Sequence, residues 1–270
     1  MIEIDGRRIR FNEYPNGETL IPDKAIVAGS KATKVSLAYE SDEDLVRLMF
    51  VKKHLDPHPV KLEIRYMPYS RMDRAPGNTV FTLRHVTDFI NWLNFKSVLV
   101  IEPHSDVTCA LLDRSSAVYP TIVFLRELTT TVLPQFSQEN DYLYFPDAGA
   151  QKRYANVRGY RTAVGYKKRD FLTGELSGEV DVVGFDGFSN PRVLIVDDLC
   201  SMGGTFRMSA EKLRSLGASE VYLFVAHCGN EMWPECILMN YIDGLYCMDT
   251  IPKNGRTHPK IHVCSKGAWS

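Results

Sequence analysis

The chain has 270 residues, room for one large domain or two modest ones at about 150 residues each. Hydrophobic residues make up 44% and charged residues 24%, which excludes a disordered or collagen-like chain. Lys and Arg (32) nearly balance Asp and Glu (33), for a net charge of −1. That balance gives no basic footprint for nucleic acid or an acidic membrane surface, so any anion site must be built locally.

No apolar run approaches the about 20 residues of a membrane-spanning helix. The start of the chain, Met1-Ile2-Glu3-Ile4-Asp5, lacks the apolar stretch of a secretory leader. The six cysteines make no C-x-x-C pair, so they read as reduced thiols of a cytoplasmic protein.

Taken in order, Asp44–Leu55 has helical spacing and Leu62–Tyr66 alternates as a strand. Thr79–Asn94 carries Val80, Leu83, Val86, Phe89, Ile90 and Leu93 at helical intervals. Val98–Ile101 is a short buried strand, followed by a helix at Val107–Leu112. A second block begins near Asp141, with strands expected at Tyr142–Phe145, Arg161–Tyr166, Val180–Val183, Val193–Asp197 and Val221–Ala226. Phe206–Leu216 is a helix stopped by Gly217. Strands alternating with helices predict parallel sheets with crossover helices, in two α/β halves divided somewhere in 115–145.

The most specific run is Val193-Leu194-Ile195-Val196-Asp197-Asp198-Leu199-Cys200-Ser201-Met202-Gly203-Gly204-Thr205. Four β-formers run into two acids, then a small-residue loop, then a helix. Such a loop at the end of a parallel strand offers free backbone N–H groups to a phosphate. Gly203 and Gly204 allow close approach, Ser201 and Thr205 add hydroxyls, and Asp197 and Asp198 would face sugar hydroxyls or their metal. Cys200 lies in this loop, where a small filler residue is the simplest reading.

This run resembles the phosphoribosyl-pyrophosphate (PRPP) loop shared by type I phosphoribosyltransferases and PRPP synthetases. Other segments separate the two. Tyr66-Met67-Pro68-Tyr69-Ser70-Arg71-Met72-Asp73-Arg74 is similar to the synthetases' P-Y-A-R-Q-D-R/K, and Tyr14-Pro15-Asn16-Gly17-Glu18 to their F-x-N/D-x-E. Ile101-Glu102-Pro103-His104-Ser105-Asp106 resembles D-L-H-x-x-Q, and Pro146-Asp147-Ala148-Gly149-Ala150-Gln151-Lys152-Arg153 resembles P-D-A-G-G-A-K-R. Lys167-Lys168-Arg169 aligns with their loop lysine and arginine, and Asp249-Thr250-Ile251-Pro252 with T-N-T-I-P. Alone, the Lys167 cluster reads as a solvated turn and Asn16-Gly17 as a turn signal; together, in the family's order, they carry the resemblance.

The resemblance, to a short relative of phage or bacterial type in the ribose-phosphate pyrophosphokinase family, implies two tandem phosphoribosyltransferase-like domains. Each would be a doubly wound, mostly parallel α/β sheet, at 1–125 (ATP-binding) and 126–270 (PRPP loop). It implies an ATP-dependent transferase of the ribose-phosphate diphosphokinase type. The β,γ-diphosphate of ATP would pass to the C1 hydroxyl of ribose 5-phosphate, giving PRPP and AMP. Asn16, Glu18, Arg71, Asp73 and His104 would bind ATP; His104 and Asp147 would hold Mg²⁺; Lys167, Arg169 and His104 would be catalytic. Asp197, Asp198, Ser201, Met202, Gly203, Gly204 and Thr205 would bind the ribose phosphate. A homo-oligomer in the cytoplasm (a host's, for a phage chain) is implied, with neither nucleic-acid nor membrane partner. The substrates are anionic and the chain nearly neutral, so cations must be concentrated at the site.

The sequence departs from the family in four places. Met202 stands where a threonine binds the 5-phosphate, and the loop is closer to the D-D-x-x-A-T-G-G-T of some transferases. Met72 replaces the glutamine that touches adenine, and Ala75–Thr79 lacks the usual charged stretch. Both ends are short, by a first strand–helix unit and a last helix, which bears on oligomerisation and regulation. The loop changes leave open a larger acceptor, ADP-ribose, whose product would serve NAD rebuilding. A PRPP-using phosphoribosyltransferase and a non-catalytic regulator are the remaining alternatives.

Overall fold

The computed structural model describes residues 1–21, 32–169, 176–232, 236–253 and 255–264; the side chains of residues 167–169 and 176–179 lie outside the described set. The chain divides into two compact units, Met1–Tyr119 with Thr250–Pro252, and Pro120–Asp249 with Lys253–Ser270. The fold is α/β, with two mostly parallel sheets.

In the first unit, β1 (Ile2–Ile4) and β2 (Arg7–Arg8) form an antiparallel hairpin, and a second hairpin joins β3 (Asn12–Glu13) to β4 (Thr19–Leu20). Then follow β5 (Lys34–Ala38), the helix Glu43–Leu55, β6 (Lys61–Tyr66), the helix Thr82–Trp92, β7 (Val98–Ile101), the helix Val107–Leu111 and β8 (Ser115–Val118). The sheet order is β2-β1-β5-β6-β7-β8, parallel from β5 to β8. Leu48, Val51 and Leu55 of one helix and Leu83 and Ile90 of the next join Val35, Leu37, Leu62, Ile64 and Val100 in one core.

One expectation changes here. The helix anticipated from Thr79 begins at Thr82: Thr79 bonds the Pro76 carbonyl through its hydroxyl, and Val80 is 58% exposed, outside the apolar stripe. The alternating Leu62–Tyr66 strand is not half exposed. Glu63 and Arg65 are buried, because Glu63 accepts from Ser36 (3.0 Å) and Lys34 (2.8 Å) while Arg65 pairs with Glu3.

The second unit runs through the helix Thr121–Glu127, a π-helical turn Leu128–Val132, β9 (Tyr142–Phe145), the helix Ala148–Arg153, β10 (Arg161–Arg169) and β11 (Leu176–Val183). Next come β12 (Arg192–Cys200), the helix Gly204–Ser215, β13 (Glu220–Cys228), β14 (Gly244–Met248) and β15 (Ile261–Cys264). The order is β11-β10-β9-β12-β13-β14-β15, parallel except for the β10–β11 hairpin at one edge.

Side chains alternate between the two faces of a strand, and both faces here are apolar. Val193, Ile195, Leu223 and Val225 pack with Phe206, Ala210 and Leu213 of the Gly204–Ser215 helix. Leu194, Val196, Phe224 and Ala226 pack against Phe124, Leu125 and Ala150 on the opposite face. The unbroken apolar runs in β12 and β13 are therefore those of a doubly wound sheet.

Candidate active site

Several of the expected residues follow the C-terminal ends of parallel strands, in each unit. In the second unit the chain leaves β9 towards β10, while β12 lies on β9's other side. In open α/β sheets, ligands bind outside the strand ends at such a switch point. Asp147 stands two residues beyond β9, and Asp197 and Asp198 lie near the end of β12.

The strand expected at Val193–Asp197 runs three residues further, so Asp198 lies within it as well. β12 continues to Cys200, because Leu199 and Cys200 stay paired with His227 and Cys228 of β13. Asp198 N–H donates to Asp197 Oδ1 at 2.9 Å. The Asp198 carboxylate, 4% exposed, meets Arg153 Nη1 at 3.1 Å. Asp197 has the less settled environment. Burial, then the charge of Asp198 and more weakly that of Asp147, push its carboxyl well above the ordinary carboxylate range. A hydroxyl donor or cation brought to that carboxyl would favour its ionised form.

Asp147 caps the helix Ala148–Arg153, its Oδ1 accepting from Ala150 N–H at 2.9 Å. A Cβ at position 149 would stand 3.0 Å from that oxygen, which accounts for the glycine in Asp147-Ala148-Gly149. After Cys200 the chain turns through Ser201 and Met202, the latter 72% exposed, into Gly203 at φ +74°. Gly203 accepts from Arg207 N–H at 2.9 Å, opening the Gly204–Ser215 helix, and its Cα lies so close to Leu238 that a Cβ would meet Cδ2 at 3.0 Å. Gly204 faces open space. Thr205 is partly exposed in the first turn. Cys200 is fully buried with its Sγ 3.4 Å from Met232 Sδ, and burial pushes its thiol up: it is the packed filler.

The first unit holds the residues expected for ATP. Arg71 and Asp73 follow β6 and His104 follows β7, the neighbouring parallel strand. Met72 N–H bonds the Tyr69 carbonyl at 2.9 Å, so Arg71 occupies a central position of a four-residue turn and is exposed. His104 comes after Glu102, which is fully buried at φ +46° and donates its N–H to Val118 at 2.8 Å. Asn16 and Glu18 sit in the tight β3–β4 turn, where Asn16 Oδ1 accepts from Glu18 N–H at 3.2 Å. Arg47 ties that hairpin to the Glu43–Leu55 helix through Glu13 (2.6 Å) and the Phe11 ring (5.0 Å).

The expected metal residues His104 and Asp147 thus belong to different units. Among the described residues, no group of three or more His, Cys, Asp or Glu is arranged to hold a metal ion. The side chains of Lys167 and Arg169 lie outside the described residues; their backbone is in β10. Sequence reasoning assigned no role to Arg153, whose pairing with Asp198 is a tertiary contact between helix and strand. It also overlooked Tyr39 and Asp42, which no motif marks.

No family model matches the chain. Ribose-phosphate pyrophosphokinase of Thermococcus kodakarensis is 27% identical over 230 residues, covering 81% of this chain and 77% of its own. That of Sulfolobus acidocaldarius is 26% identical over 230 residues, covering 82% and 76%. The chain is a relative of the ribose-phosphate pyrophosphokinases. These relatives are transferases of the diphosphokinase class. The solved phosphoribosylpyrophosphate synthetase of Mycobacterium smegmatis shares the fold, with a TM-score of 0.71 at 19% identity over 96% of this chain and 86% of that one. Among the described residues, no helix is long and apolar enough to cross a membrane.

Proposed function

We propose that the chain is an ATP-dependent pyrophosphokinase acting on ribose 5-phosphate. The observation that carries the reading is the acid pair and glycine loop at the switch point of the second unit. Ribose hydroxyls donating to Asp197 would favour its ionised form, and the backbone N–H groups around Gly203 and Gly204 suit the 5-phosphate. Arg71, Asp73, His104, Asn16 and Glu18 would hold ATP on the first unit. The similarity to the two archaeal enzymes supports this assignment.

In the reaction the C1 hydroxyl oxygen bonds to the β-phosphorus and gives up its proton to water, the bond from that phosphorus to the α,β-bridging oxygen breaks, and AMP leaves with the bridging oxygen. Transfer of this kind is mainly positioning and charge neutralisation. Lys167 and Arg169 would neutralise the moving diphosphate. Asp147 offers a second carboxylate oxygen beyond the one that caps its helix. Magnesium needs only one or two carboxylates and keeps water and substrate phosphate for the rest, so Asp147 would suit it on the second unit, where it would supply positive charge to the phosphates.

ADP-ribose is the second acceptor to weigh, favoured by exposed Met202 and the open space at Gly204, which leave room beyond the phosphate. The test is one comparison: protein, ATP and Mg²⁺ with ribose 5-phosphate or with ADP-ribose, products read by mass spectrometry. AMP together with ribose 5-phosphate carrying an added diphosphate is the expected result. AMP with ADP-ribose alone moves the acceptor, and no AMP with either overturns the reading in favour of a phosphoribosyltransferase or a regulator.

A further inference from the structure

Asp42 stands at the head of the Glu43–Leu55 helix, the position at which an aspartate ordinarily caps backbone N–H groups. It makes no side-chain cap. Its Oδ1 instead accepts two phenol hydroxyls, from Tyr39 at 2.7 Å and from Tyr69 at 2.6 Å. Tyr39 directly follows β5, and Tyr69 comes three residues after β6, its parallel neighbour. One carboxylate therefore ties together the C-terminal ends of two strands. The two phenols' hydrogen bonds hold that carboxyl below its usual range; burial and then the bond to Asp42 push the Tyr39 phenol up, and the bond to Asp42 does the same for Tyr69.

Tyr69 is also strained. Its φ is +60°, a conformation that a residue with a Cβ adopts rarely. Such a conformation persists only where its surroundings impose it. Here Tyr69 opens the turn whose central position carries Arg71, and its carbonyl closes that turn on Met72. Ser70 is buried and Arg71 exposed, so the turn has one anchored side and one presenting side.

From this geometry we infer that Tyr39, Asp42 and Tyr69 form a clamp that positions Arg71 for the phosphates of ATP. The inference rests on the ATP-binding part of the proposed function. Asp42 does not itself touch the nucleotide; it acts through the Tyr69 turn.

The experiment is a double-mutant cycle on the full chain, reading ATP affinity by titration calorimetry with Mg²⁺. Asp42→Ala should weaken ATP about tenfold, the effect of losing a hydrogen bond to a charged group. In an Arg71→Ala background the same change should cost less than about twofold, because contacting or coupled residues are non-additive. Asp42→Asn keeps an Oδ1 acceptor and should recover most of the affinity. The KM for ribose 5-phosphate and kcat at saturating ATP should stay unchanged. Equal losses in both backgrounds, or no loss in either, overturn the clamp. Should Asp42→Ala fail to fold, Tyr39→Phe with Tyr69→Phe removes both donors and keeps the rings, under the same criteria. A wild-type protein that binds ATP and transfers nothing refutes the reaction and leaves the clamp to the cycle; one that binds no ATP overturns both.

Discussion

Replacing Arg153 by Met takes away a cation paired with a buried charge. Asp198 is 4% exposed and the Arg153 guanidinium stands 3.1 Å from it. At that distance and an effective dielectric of about 20, the attraction is about 5 kcal/mol before desolvation. Removing one partner of a buried pair costs about 3–5 kcal/mol, because the remaining charge is left uncompensated. The Arg153 side chain is 16% exposed, so some water reaches the pair and the lower figure of about 3 kcal/mol applies. At about 2–4 °C per kcal/mol for a unit of this size, the second unit of Arg153→Met should melt about 6–12 °C lower. The assay is thermal unfolding followed by circular dichroism, with Arg153→Met, Asp198→Asn and the double variant side by side. The double variant, lacking both charges, should recover at least half of the loss. A fall of less than about 2 °C, or no recovery in the double variant, refutes the assignment of the pair as a buried, mutually dependent unit.

Asp197 should behave in the opposite sense. Its native carboxyl titrates above the unfolded value of 3.8, so the native state binds more protons between those two values and wild-type stability falls as pH rises through that window. Asp197→Asn should therefore be the more stable protein at pH 7 and lose that advantage below about pH 3, as denaturant titrations at the two pH values will show. Gly203→Ala should destabilise by about 1–2 kcal/mol, since φ is +74° and Leu238 must move; Gly204→Ala, with open space around it, should be neutral or stabilising by about 0.5 kcal/mol. Asp147→Asn keeps a helix cap and should melt like wild type, yet its AMP release in the presence of Mg²⁺ should fall by orders of magnitude.

The parts legible in the sequence were those whose signals are local. The apolar runs of β9, β12 and β13 and the spacing of the Glu43–Leu55 helix need no tertiary information, because burial on both faces of a sheet or on one stripe of a helix is written in the side chains. β5 (Lys34–Ala38) and β14 (Gly244–Met248) were not singled out; a lysine and a serine dilute one, and a glycine opens the other. β1 and β8 are short and lean on neighbours for their pairing. The partners that bury the charges of β6, namely Glu3, Lys34 and Ser36, come from elsewhere in the chain. The same limit applies to the site. The acid pair and glycine turn were visible as a string, but the continuation of β12 past them depends on β13. The Arg153–Asp198 contact and the Asp42 carboxylate shared by two phenols exist only once separate strands and helices are side by side.

The edge hairpin of the second sheet has a mechanical consequence. β10 is paired with β9 only from Arg161 to Val164, and from Gly165 to Arg169 its strand partner is β11 alone. A ribbon of two strands is marginal by itself in water, whereas the four residues before it are locked into the sheet. Gly165 marks the change, since any side chain there would collide with the Tyr144 hydroxyl and the Pro146 carbonyl. The backbone of Lys167 and Arg169 therefore rests on a two-stranded ribbon whose hold on the second core runs through β11, where Val180 is buried and Val182 packs against the apolar cluster.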